Sequence, residues 1–200
     1  MKSIIIVEDH PIMQTGLVSY FSDTGRWQVI GTASSLSGAR ELFTNNTADV
    51  ALLDIQLDDG WGLDIVPWIQ EQQQQQQQIP LMAVYSAFDD YAHVSAALDL
   101  GAKAYITKRR NEQELEAALL KVLKGNTYID EAAQVKLKNV TELFSLLTKR
   151  EKEILTLVKN GLSNNQIAGD LGINRRTVEN ILSCVYNKTG IKSRLELERL

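Results

Sequence analysis

The chain lacks the features that mark several common protein classes. It has one cysteine, Cys184, among its 200 residues. A single thiol cannot close an internal disulfide or build a cysteine-based zinc site. No stretch approaches the roughly 20 apolar residues needed to cross a bilayer. The early run Ile4-Ile5-Ile6-Val7 is too short for a signal-peptide core, and no small-residue cleavage site follows it. These absences argue against a secreted disulfide scaffold and a membrane protein, and a soluble cytoplasmic protein is expected. What is present is ordinary for a globular chain. It is 44 % hydrophobic and 23 % charged, which provides apolar material for a core in each of two small domains.

No single charge sign dominates the whole, with a net charge of -4, but the distribution is uneven. Residues 1–140 hold 11 Lys and Arg against 18 Asp and Glu, whereas residues 141–200 hold 10 against 7. An acidic first part and a mildly basic last part suggest two modules with different partners.

Short aliphatic or β-branched runs occur at Ser3–Val7, Gln28–Ala33, Val50–Asp54, Leu81–Tyr85 and Lys103–Thr107. Such runs fit strands buried on both faces. Helical spacing fills the intervals, for example Ile12, Leu17, Val18 and Phe21, and Asn111-Glu112-Gln113-Glu114 reads as a capping box. Strand and helix alternating five times imply an α/β fold, a (βα)5 doubly wound parallel sheet covered on both faces. The glutamine run Gln72–Gln78 is read as a helix end or solvated loop. It is not read as a domain boundary, because the strand at Leu81–Tyr85 belongs to the same sheet. The expected domains are 1–124, a linker over 125–144, and an all-α domain over 145–200. In the last, Thr148 to Glu151 and Ser163 to Gln166 are capping boxes, and Asn174 is a plausible third cap. Asn164–Leu171, a turn at Gly172-Ile173 and a helix over Asn174–Lys188 read as helix-turn-helix, with an apolar stripe including Ile167, Ala168, Val178 and Val185.

In an open parallel sheet, ligands bind beyond the carboxyl ends of the strands. Those ends carry Glu8 and Asp9, then Asp54, Ser86 and Lys108. Converging carboxylates need a counter-ion, and hard oxygen donors on a partly open site suit Mg2+. A carboxylate held there can attack phosphorus, with Lys108 neutralising charge on the transferred oxygens.

The motifs Ile5-Ile6-Val7-Glu8-Asp9-His10, Leu52-Leu53-Asp54-Ile55 and Gly101 to Lys108 closely resemble those of two-component receiver domains, over roughly residues 1–124. The resemblance implies a flavodoxin-like fold, with Asp54 accepting a phosphoryl group from a sensor histidine kinase. It also implies that Glu8, Asp9, Asp54 and the backbone carbonyl of Gln56 hold Mg2+. Lys108 would be the pocket cation, Ser86 the switch hydroxyl, Tyr105 the switch aromatic, and Ala87 the small residue leaving access to Asp54. Three features depart from the family pattern: Asp58 and Arg109 each stand where proline is usual, and the glutamine run is long.

Leu147-Thr148-Lys149-Arg150-Glu151, Gly161 to Asn164, Ile167-Ala168, Thr177-Val178 and Lys188 resemble the LuxR-type DNA-binding domain over about residues 145–200. Together the two resemblances imply a NarL/FixJ-type response regulator: a phosphorylation-dependent, DNA-binding transcription regulator that dimerises when phosphorylated. Arg175, Arg176, Val178, Glu179 and Leu182 are expected near base edges or adjacent backbone of double-stranded DNA. Thr148, Thr177 and Lys188 are expected at phosphates. Glu179, Ile181 and Thr189 replace the frequent Lys, His and Leu. The chain is not expected to be an enzyme, because an aspartyl-phosphate phosphatase generally needs an acid two residues after its nucleophile, where Gln56 stands. A helical domain that binds a protein and no DNA is a second rival, and a regulator that ignores phosphate is a third. Salt-dependent duplex binding separates the second from the DNA-binding reading.

Overall fold

The aliphatic runs pair side by side as a parallel sheet in the computed structural model, which describes residues 1–73, 79–191, 193, 194 and 197. The chain forms two units, Met1–Gln134 and Val135–Leu200. In the first unit, β1 (Lys2–Val7), β2 (Trp27–Ala33) and β3 (Val50–Leu53) are followed by a small hairpin, β4 (Gln56–Leu57) and β5 (Gly60–Trp61). Three further strands complete the sheet: β6 (Leu81–Ser86), β7 (Ala104–Thr107) and β8 (Tyr128–Ile129). The order across the main sheet is β2-β1-β3-β6-β7-β8, with every pairing parallel.

Period-two alternation sends successive strand residues to opposite faces. Ile4, Ile6, Val50, Leu52, Tyr85 and Ile106 pack with Leu17 and Phe21 of α1 (Pro11–Asp23) and with Leu115 and Leu119 of α5 (Glu112–Val122). The alternate residues Ile5, Val7, Ala51, Leu53, Val84 and Tyr105 are equally buried. The chain between the strands also forms α2 (Leu36–Asn45), α3 (Ile65–Gln73) and α4 (Tyr91–Asp99). Burial on both faces explains why the strands read as continuous apolar runs. β6, which follows the glutamine run, pairs with β3 in the same sheet. The first residues of the run close α3, and residues 74–78 lie outside the described residues.

The segment expected as a linker, 125–144, is ordered differently. Gly125, at φ 89°, ends α5, and β8 then adds a sixth strand against β7. Next comes α6 (Glu131–Ser145), which starts in the first unit and continues into the second. A two-residue strand has no readable periodicity, and Ala133 is the buried residue of α6, so neither leaves a hydrophobic signature.

The second unit continues with α7 (Lys149–Lys159), α8 (Asn164–Asp170) and α9 (Arg175–Thr189). Thr148 and Ser163 close reciprocal capping boxes with Glu151 and Gln166, and Asn174 accepts from the Thr177 N–H. Gly190, at φ 72°, ends α9 in the left-handed conformation that glycine adopts without steric cost. Ile154, Leu155, Val158, Ile167, Val178 and Val185 form the core. Among the described residues, no helix is long and apolar enough to cross a membrane.

Candidate functional site

The chain leaves β1 for β2 on one side of the sheet and reaches β3 on the other, so the strand order reverses between β1 and β3. A crevice opens at such a switch point beyond the carboxyl ends of the strands. Glu8 and Asp9 follow β1, and Asp54 follows β3. The strand ladders continue past their ends and fix these residues: the Glu8 N–H donates to Ala33 O, and the Asp54 N–H to Val7 O, each at 2.9 Å. The Lys108 N–H donates to Ser86 O at 2.8 Å, which sets the end of β7 beside the end of β6.

Lys108 is the bridge. Its Nζ donates to Asp54 Oδ2 at 2.6 Å and lies 2.9 and 2.8 Å from the two Glu8 oxygens. Glu8 and Asp54 are 1 % and 4 % exposed, and such buried carboxylates need a counter-charge. Burial works against the charge on Lys108, but hydrogen bonds to Asp54 and Glu8 outweigh it and hold the ammonium above the ordinary lysine pKa. Asp54 Oδ1 accepts from the Ile55 N–H at 2.7 Å and the Gln56 N–H at 3.4 Å, so backbone donors orient the carboxylate.

Asp9 completes the acidic group. One ligand atom from each of Glu8, Asp9, His10 and Asp54 lies within 4.8 Å of the others. His10 Nδ1 is 2.7 Å from Asp9 Oδ1, yet the contact lacks hydrogen-bond geometry, and that buried oxygen has no hydrogen-bond partner. A buried carboxylate oxygen left without a donor is costly in a dry site and fits a cation. The donor set therefore suits a divalent metal.

Ser86 is fully buried at the end of β6, opposite Thr107 in register, and its Oγ accepts from the Phe88 N–H at 3.3 Å. Tyr105 is fully buried, and its hydroxyl donates to Phe88 O at 2.9 Å; burial pushes its pKa up. Ala87 is exposed and lines a cavity with Lys108 and Glu112. Arg109, in the position usually held by proline, forms an ion pair with Asp89.

Sequence reasoning missed three supporting residues. Gly62 packs its backbone on the acceptor: a Cβ there would lie 1.9 Å from Asp54 O. The turn-prone Gly60-Trp61-Gly62 was the available signal. Asp59 caps α2, accepting from the Leu36 N–H at 2.8 Å. Asp130, 1 % exposed, accepts from the Thr107 N–H and Oγ1, from the Tyr128 hydroxyl and from Arg110 Nε at 2.6–3.0 Å. It pins β8 to the strand that delivers Lys108, and no local motif announces it.

In the second unit, α9 exposes Arg175, Arg176 and Glu179, with Thr177 half-buried. Arg175 Nε donates to Glu179 Oε1 at 2.7 Å, so the unusual acid pairs along its own helix. Val178 and Leu182 depart from their expected place near base edges. They are 0 % and 4 % exposed and lie in the core, where they seat the helix. The helical period leaves Asn180 and Ser183 on the exposed side instead. Thr148 is spent on capping α7. Lys188 Nζ donates to Glu151 Oε2 at 2.7 Å, tying the end of α9 to the start of α7. Thr189 satisfies its hydroxyl by donating to Val185 O, which explains how it replaces a leucine at a buried position.

The response regulator receiver domain family matches residues 4–120, and the luxR family of bacterial regulatory proteins matches residues 145–200. The oxygen regulatory protein NreC of Staphylococcus aureus strain JH9 is 30 % identical over 207 residues, covering 97 % of this chain and 94 % of NreC. The response regulator protein VraR of Staphylococcus aureus strain NCTC 8325 is 29 % identical over 197 residues, covering 96 % and 92 %. Among solved structures, a complex of the two-component response regulator RcsB with DNA has a TM-score of 0.72 at 22 % identity, covering 98 % of this chain and 96 % of that one. Salmonella typhimurium RcsB gives 0.74 at 21 % identity, covering 99 % and 98 %. The acid pocket at the switch point and the capped helix-turn-helix thus sit in a chain that belongs to the response regulator family, a receiver domain followed by a luxR-family regulatory domain.

Proposed function

We propose that this protein is a phosphorylation-controlled transcription regulator of a two-component system, with Asp54 as phosphoacceptor. The observation that carries the reading is the Lys108 bridge between Asp54 and Glu8 at the switch point. It provides an oriented carboxylate and a cation placed for transferred oxygens. An Asp54 oxygen forms a bond to phosphorus while the P–N bond of a kinase phosphohistidine breaks. The electron pair of that bond leaves with the imidazole nitrogen. The backbone N–H groups of Ile55 and Gln56 keep the carboxylate oriented during attack. Lys108 and Ser86 are the groups that would take up the new phosphoryl oxygens. Mg2+, held by Glu8, Asp9, Asp54 and the Gln56 carbonyl, would supply neutralisation of phosphoryl charge.

The output is binding of the exposed side of α9 in the major groove of double-stranded DNA, through Arg175 and Arg176, as a homodimer of the phosphorylated form in the cytoplasm. Gln56 offers no second acid, so phosphate-ester turnover is not part of this reading. The test is incubation with acetyl phosphate and Mg2+, resolved on a phosphate-affinity gel, with duplex binding measured in parallel. The wild type is expected to acquire a phosphoryl group and bind duplex DNA more tightly. Unchanged DNA affinity and oligomeric state on phosphorylation would refute the coupling.

A further inference from the structure

His10 is left without a role by that reading. It occupies the N-cap position of α1, just before Pro11, yet its side chain makes no cap hydrogen bond. The ring turns back toward the acids, with Nδ1 2.7 Å from Asp9 Oδ1 and 3.2 Å from Glu8 Oε1. The Asp9 side chain is only 8 % exposed, and its Oδ1 accepts no hydrogen bond despite this neighbour. The two atoms are within ion-pair distance but share no hydrogen bond, as with two metal-ligating atoms that face one cation. Donors at right angles on one cation, each at about 2.1 Å, are about 3 Å apart. The His10 separations bracket that value.

We propose that His10 is a nitrogen ligand of the acid pocket, strengthening its hold on divalent cations that accept imidazole, such as Co2+ or Zn2+, without strengthening its hold on Mg2+. The proposal rests on the pocket being a divalent-cation site. Carboxylates alone serve Mg2+, which keeps its remaining waters and gains little from a ring nitrogen. Imidazole suits the later first-row metals, so one histidine at the rim changes the ranking of cations. The ring is 72 % exposed, so it can adjust to a cation without disturbing the core. The alternative role is a counter-cation, an imidazolium lying over Glu8 and Asp9 and competing with any metal. The second histidine, His93, stacks on Phe88 and pairs with Asp90, which makes it an internal control.

The experiment is calorimetric titration of the full chain with CoCl2 and, separately, MgCl2, for wild type, His10→Ala, His10→Gln and His93→Ala, with the visible spectrum of bound Co2+ recorded. Loss of His10 is expected to weaken Co2+ on the order of tenfold while Mg2+ stays within about twofold. The Co2+ bands should shift toward an all-oxygen spectrum, and His93→Ala should match wild type. Equal changes for both cations, or a Co2+ spectrum indifferent to His10, would overturn the proposal. Tighter binding of both cations without His10 would also overturn it, by assigning the counter-cation role. A wild-type chain that binds neither cation would remove the pocket reading itself, and the proposal with it.

Discussion

Asp54 is held from two sides, by Lys108 on one oxygen and by the Ile55 and Gln56 N–H groups on the other. Asp54→Asn is therefore expected to abolish phosphoryl incorporation from acetyl phosphate on a phosphate-affinity gel while leaving the fold intact, since the amide keeps the shape. Asp130 supports the end of β7, the strand that delivers Lys108. Burial alone would raise its pKa, but hydrogen bonds from Thr107, Tyr128 and Arg110 outweigh it and hold it below the ordinary carboxylate value. The unfolded chain then takes up this proton first as pH falls. The stabilisation is whole above about pH 5 and is lost as pH drops through the ordinary carboxylate range toward the folded value. Asp130→Asn is expected to cost about 2–3 kcal/mol at neutral pH and to flatten this acid limb. Trp27, Trp61 and Trp68 all lie in the first unit, so tryptophan fluorescence in urea reads its unfolding separately. At this scale, residues placed by a strand end were legible. Asp130 was not, because its partners are spread over Thr107, Arg110 and Tyr128 and share no spacing rule.

At the scale of elements, the hairpin β4–β5 determines whether the acceptor can sit where it does. Gly62 follows the hairpin with its backbone against Asp54 O, and backbone cannot yield as a side chain can. Gly62→Ala is expected to destabilise the first unit by about 1–3 kcal/mol, or more if the turn cannot shift, and to slow phosphorylation of Asp54. Fluorescence-detected urea unfolding and the gel assay check both. The helix α9 divides between seat and surface. Leu182→Ala should cost about 2–5 kcal/mol of second-unit stability, followed by circular dichroism, because it opens a cavity among Val178, Val185 and Ile154. Arg176→Ala should leave that stability within about 0.5 kcal/mol and weaken duplex binding instead. The capping boxes at Asn111, Thr148 and Ser163 were readable because they are local. Which residues of α9 face inward is readable only in part: the apolar stripe holds Val178 and Val185 but omits Leu182, and the family pattern places both Val178 and Leu182 near DNA.

For the whole molecule, the division of charge gives each unit its own electrostatics: 18 acids against 9 bases over residues 1–134, and 7 against 12 over residues 135–200. Duplex affinity is expected to fall with salt, and each arginine lost from Arg175 or Arg176 that contacts a phosphate should reduce the log–log slope by about 1. Fluorescence anisotropy at several salt concentrations measures it. Turning a mostly inactive population into a mostly active one takes about 5 kcal/mol of differential stabilisation. Phosphoryl contacts to Lys108 and Ser86 are where that difference would arise.

The order of apolar runs and the residues ending them determined, without coordinates, a parallel sheet with acids at the crevice. Periodicity and caps likewise determined a helix-turn-helix after it. Both follow from short-range rules: alternation along a strand, the helical repeat, and side chains satisfying the first N–H groups of a helix. Tertiary structure alone decided the sixth strand, the clamp at Asp130, the close approach of Gly62 and the turn of His10 toward the acids. Each of these depends on which distant segments come within about 3 Å of one another, and that distance is set by packing of the whole unit.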